Sequence, residues 1–149
     1  MLVEMELREI LTTGPITAIV LGEKNGQRRQ FPIYIGLAEA NALQMAVRKD
    51  TLPPPGRPLT HDLILGVLEG LGAALRRVIV DDLVEDENGG GTFYGKLDVE
   101  RSDHSTVWID SRPSDAIVLA TKASVDILVD EEVLRKAGAE PPPSESDLE

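Results

Sequence analysis

The sequence predicts an α+β domain with a mixed, largely antiparallel sheet and helices set between the strands. Three observations predict it. Apolar Val3, Met5 and Leu7 alternate with charged Glu4, Glu6 and Arg8, the period of a half-buried strand. Asn25-Gly26 separates two β-like runs, and both residues tolerate positive φ, so the pair marks a hairpin. Helical spacing does not follow every strand, which disfavours a doubly wound parallel fold. The 149 residues fit one ordinary domain with a real core.

Each element follows from local pattern. Val3 to Leu7 starts the first strand. After Gly14-Pro15, Ile16 to Gly22 is a second strand, apolar enough to be buried on both faces. The return strand runs from about Arg28 to Ile35, with Phe31, Ile33 and Ile35 on one face. Gly36 to Lys49 changes to helical spacing through Leu37, Ala40, Leu43 or Gln44, and Val47. Leu52 to Pro58 holds four prolines and a glycine and suits neither helix nor central strand. Thr60 then resembles an N-cap with Asp62 in the first turn. Leu63, Ile64, Val67, Leu68 and Leu71 form an apolar face, and Gly72 stops that helix.

Leu75 to Val84 is a strand with Val78 and Val80 on one side. Asp86 to Gly91 is an acidic, glycine-rich loop. Thr92 to Val99 and Thr106 to Asp110 pair across Ser102-Asp103-His104. Ser114 is the expected N-cap of a short helix to about Ala123. Val125 to Val129 is a last strand, and Asp130 caps a closing helix that ends at Gly138. The order is βββαα-βββ-α-β-α.

Residues 1–138 form the expected domain and residues 139–149 an acidic, proline-rich tail expected to be disordered. Fifteen basic residues against 26 acidic ones give a net charge of −11. The tail contributes four of those acids, Glu140, Glu145, Asp147 and Glu149. Such a balance disfavours a protein that coats nucleic acid non-specifically, since that task needs phosphates neutralised by Lys and Arg. It leaves room for a local basic site. The absence of cysteine excludes a disulfide scaffold, a thiol nucleophile and cysteine-ligated zinc or iron–sulfur. Glu4, Glu6 and Glu9 stand where a signal peptide would be apolar, and no apolar run approaches the roughly 20 residues of a membrane helix. A cytoplasmic location without membrane contact is expected.

Two clusters can carry chemistry. Thr60-His61-Asp62 opens a helix, where free N–H groups favour an anion such as phosphate. Imidazole is the side chain suited to proton transfer near neutral pH, which marks His61. The bland reading has Thr60 as cap, Asp62 as dipole partner and His61 as a surface residue. Asp110-Ser111-Arg112-Pro113-Ser114-Asp115 sets a guanidinium and carboxylates on a strand-to-helix turn. Arg112 suits bidentate phosphate binding, and carboxylates such as Asp62 and Asp115 can help hold a divalent ion such as Mg²⁺. The bland reading pairs Arg112 with Asp110 or Asp115. His104 lies in a hairpin turn. The acidic run Asp81, Asp82, Glu85, Asp86 and Glu87 lacks the spacing of a calcium loop, and Gly89-Gly90-Gly91 lacks the Lys-Ser/Thr of a phosphate loop.

Several stretches together resemble the bifunctional nuclease family, the domain named for DNase and RNase activity. They are Phe31-Pro32-Ile33-Tyr34-Ile35-Gly36 with Glu39-Ala40, then Arg57-Pro58-Leu59-Thr60-His61-Asp62-Leu63, then Gly91-Thr92-Phe93-Tyr94, then Arg112-Pro113-Ser114-Asp115-Ala116-Ile117. Val133-Leu134 and Ala137-Gly138 resemble its closing helix. Two departures are Ser111, where a small apolar residue is usual, and a longer loop at Asn88–Gly91. The resemblance implies a compact α+β domain, a homodimer or larger homo-oligomer, and phosphodiester hydrolysis of DNA or RNA bound weakly by an acidic protein. The alternative is a non-catalytic binding or regulatory module. The chemically competent positions it covers are His61, Asp62, Arg112 and Asp115 as catalytic residues, with Thr60, Arg112 and Ser114 for phosphate. Metal ligands are not specified.

Overall fold

The computed structural model describes residues 1–12, 15–26, 28–48 and 57–138. The expected proline-rich break falls mostly outside these residues, and the expected tail lies wholly outside them. Within them the elements follow the predicted order. They are β1 (Leu2–Leu11), β2 (Ala18–Glu23), β3 (Gln30–Tyr34), α1 (Leu37–Arg48), α2 (Thr60–Gly70), β4 (Ala74–Glu85), β5 (Gly91–Glu100), β6 (Thr106–Ser111), α3 (Pro113–Ala123), β7 (Asp126–Asp130) and α4 (Glu131–Ala137).

The seven strands form one sheet in the order β3-β2-β1-β7-β4-β5-β6. Two antiparallel meanders, β1–β3 and β4–β6, make its halves. β7 fills the middle, antiparallel to β1 and parallel to β4. The architecture is therefore α+β with a mixed, mostly antiparallel sheet. β2 is buried along its whole length, as its continuous apolar run requires.

The β2–β3 connection runs through residues 24–29, longer than a two-residue turn. Gly26 takes φ 86° and Arg28 takes φ 62°. The connection ends in an ion-paired knot. Arg29 donates to Glu23 Oε1 at 3.0 Å and to Glu131 Oε1 at 2.8 Å, tying the hairpin to α4. Glu23 is 3 % exposed, so the guanidinium is its replacement for water.

α3 is the central helix. Pro113, Ser114 and Ala116 to Ala120 are buried, and it packs on α1, α2, β4 and β5. Gly95 of β5 lets its first turn settle onto the sheet. A Cβ there would lie 3.2 Å from the Ser111 carbonyl oxygen and 3.5 Å from Pro113 Cα.

Some local expectations shift by a residue. α1 buries Ala40, Leu43 and Ala46, leaving Leu37 and Val47 exposed. α1 packs on α3, and two of its three buried positions are alanine. The N-cap of α2 is Leu59, not Thr60, because Asp62 reaches back and accepts the Leu59 N–H at 3.0 Å. Arg112, not Ser114, is the N-cap of α3, and Pro113 supplies a preset helical φ at the first position. Asp130 caps α4 as expected, accepting from the Glu132 N–H at 2.9 Å. The predicted apolar face of α2 is split. Ile64, Leu65 and Leu68 lean on the core, while Leu63, Val67 and Leu71 point away from it, 56 %, 51 % and 77 % exposed.

Candidate active site

Three helices begin at one place. α1 starts after Gly36, α2 after Leu59 and α3 after Arg112, and these starts line two adjoining clefts. Each helix start offers unpaired N–H groups and a partial positive charge. Each of the three first turns also carries an acid, Glu39, Asp62 and Asp115, which complements that partial charge.

Arg112 stands on the ridge between the clefts. Its Nε donates to Asp115 Oδ2 at 2.9 Å, and its Nη1 donates to Glu39 Oε1 at 3.2 Å. Nη2 carries neither bond. The side chain is 66 % exposed, so it is held in position yet open to an anion. Asp115 also meets His61, with Oδ1 2.9 Å from Nε2. Burial pushes the Asp115 carboxyl up, but the bonds and charges of Arg112 and His61 outweigh it and hold the group below its ordinary range. An ionised Asp115 can only accept, so His61 Nε2 carries the proton and Nδ1 is the ring nitrogen left for a substrate.

The structure therefore brings His61, Arg112 and Asp115 together in one chain of contacts and places Thr60 on the wall of the same cleft, of about 540 Å³. Ser114 lines the other cleft, of about 450 Å³. Asp62 faces elsewhere. It accepts from Lys122 Nζ at 2.8 Å and from the Leu59 N–H. Burial raises its pKa, and these two donors more than reverse that. Each oxygen of the two carboxylates thus meets one internal partner, and the described residues contain no grouping of three or more His, Cys, Asp or Glu fit for a metal ion. Asp62 and Asp115 each pair with a cation of the chain itself, Lys122 and Arg112.

Two partners were missed from the sequence. Glu39, in the first turn of α1, braces Arg112, and its carboxylate lies over Gly36 where a Cβ would collide with it. Lys122 lies seven residues beyond Asp115, two turns along the same helix face. That spacing is the signal that would have placed it opposite α2. His104 sits apart in the β5–β6 turn, 86 % exposed and bonded to Glu100. The acidic run is locally occupied. Asp86 Oδ1 accepts the N–H groups of Asn88 and Gly90, and Asp81 pairs with Lys96.

The structure is thus an α+β domain with a histidine–aspartate pair and an arginine at converging helix starts. The family model described as bifunctional nuclease domain matches residues 19–142. The chain belongs to the bifunctional nuclease domain family. It is similar to an uncharacterized protein of Mycobacterium tuberculosis, 41 % identical over 120 residues, which cover 80 % of this chain and 65 % of that protein. Bifunctional nuclease 1 of Oryza sativa subsp. japonica is 29 % identical over 139 residues, covering 90 % of this chain and 40 % of the rice protein. Bifunctional nuclease 2 of the same plant is 26 % identical over 123 residues, covering 82 % and 36 %. The chain thus spans about two thirds of the mycobacterial relative and under half of the rice ones. No helix among the described residues is long and apolar enough to cross a membrane.

Proposed function

We propose that this chain is a nuclease that hydrolyses phosphodiester bonds of DNA or RNA. The observation that carries the reading is the contact chain Glu39–Arg112–Asp115–His61 at the meeting of three helix starts. Arg112 Nη2 and the N–H groups near Thr60 and Ser114 hold the phosphate. Asp115 orients His61 through Nε2, so that Nδ1 takes a proton from the attacking water. The water oxygen bonds to phosphorus, the bond to the leaving sugar oxygen breaks, and the proton passes from His61 to that oxygen. Asp62 positions α2 through Lys122 rather than touching substrate. The functional unit in this reading is residues 1–138, in a cytoplasmic protein.

The test is cleavage of DNA and RNA by purified protein. His61→Ala should lower the rate at least about 100-fold, the lower range for a positioned acid–base group, with an unchanged melting curve. Arg112→Ala should raise KM. Chelation of divalent ions should leave the rate intact. Persistent cleavage in both variants would remove these residues from the reaction. A second reading is a non-catalytic anion-binding module, favoured by the internal ion pairs of Asp62 and Arg112. It predicts phosphate binding without turnover.

We also propose that the domain self-associates. The support is the outward face of α2, where Leu63, Val67 and Leu71 recur every four residues and remain exposed.

A further inference from the structure

We infer that the 450 Å³ cleft on the far side of Arg112 is a nucleoside subsite, which rests on the phosphate reading of Arg112 given above. The two clefts share Glu39 and Arg112 in their walls. A phosphate held on the guanidinium therefore has space on both sides, with His61 on one and this cleft on the other. The chemistry of the two sides differs. Apart from the shared pair, the second cleft offers no acidic or basic side chain, so it holds a group rather than transforming it.

Its lining suits a flat, partly polar ring. Tyr34 at the end of β3 stands at this cleft 69 % exposed, an aromatic side chain that the core does not use. Phe93 also lines the cleft, and its own ring is fixed by stacking on buried Phe31, with centroids 5.4 Å apart. The lining also includes the hydroxyl-bearing residues Thr92 and Ser114. Volume, an open aromatic ring and hydroxyl-bearing residues in the lining match a nucleobase with its sugar. Every base has a π-face, so such a site accepts any base and tolerates both DNA and RNA.

Adenosine 5′-monophosphate and inorganic phosphate are the probes, titrated into the full chain by calorimetry. The wild type should bind the nucleotide about tenfold more tightly than phosphate, the scale of one stacked base. Tyr34→Ala should abolish that advantage and leave phosphate binding unchanged. Arg112→Ala should weaken both ligands. Equal affinity for the two ligands in the wild type, or an advantage that survives Tyr34→Ala, overturns the subsite and leaves the phosphate reading standing. Absence of binding by either ligand overturns the phosphate reading and the subsite with it.

Discussion

At the scale of single residues, Asp115 decides what His61 can do. Its two oxygens are divided between a guanidinium and an imidazole. Asp115→Asn keeps the shape but can present an amide N–H to His61 and so favour the other tautomer. The variant should lose cleavage by about the same 100-fold order as a misplaced acid–base group, while its circular dichroism spectrum stays that of the wild type. An undiminished rate would separate the pair from catalysis. The acid side of stability follows from five carboxyls, Glu23, Asp62, Asp103, Asp115 and Glu131, each held below its ordinary value. For Glu23 the bond from Arg29 leads, and for Glu131 likewise. A depressed folded-state pKa contributes stability above the unfolded values, 3.8 for Asp and 4.5 for Glu. That stability disappears as pH falls through the lower folded values. Thermal melts should therefore show Tm level above about pH 5 and dropping below pH 4. Arg29→Ala should lower Tm at neutral pH more than Arg135→Ala, whose partner Glu132 is exposed.

At the scale of elements, α2 is the informative helix. Gly66 and Gly70 lie within it, and a Cβ on either would meet nothing within 4 Å. Glycine in a helix interior costs about 1 kcal/mol relative to alanine, and the packing described gives no return for it. Gly66→Ala should raise the unfolding free energy by roughly 0.5–1 kcal/mol in urea titration. A loss instead would mean that another surface packs closely there. Period and turn chemistry made the element order readable, with two helices marked by apolar spacing and the last two by their expected caps. Cap positions were less readable. Thr60 and Ser114 carry the residue types of N-caps, yet a reaching Asp62 and a preset Pro113 won those roles for their neighbours. The site was readable as two clusters, since His61 and Arg112 announce themselves by chemistry. The second carboxylate that braces Arg112 was not. Glu39 meets Arg112 across 73 residues of sequence, and no local period encodes a contact of that range.

At the scale of the whole molecule, the acidic balance reaches into the candidate site. At the three helix starts Arg112 stands among Glu39, Asp62 and Asp115, so the cation and the helix N-termini are answered by acids of the same first turns. The same balance bears on self-association. Leu63, Val67 and Leu71 form an uncharged stripe, whereas most of the surface would meet its own negative charge in a second copy. Val67→Asp should shift the protein to monomer in light scattering without lowering the melting temperature of the monomer. An unchanged mass would place any contact between copies elsewhere.

The place of β7 at the centre of the sheet has a kinetic consequence. Each meander can zip from neighbouring residues, but the strand that joins them is made after both. On the ribosome, the halves must wait with open inner edges until residues 126–130 emerge. Joining them is a long-range closure, the slow kind of step in β-rich folding. The seam between the meanders is thus where synthesis leaves this chain open to wrong pairing for longest.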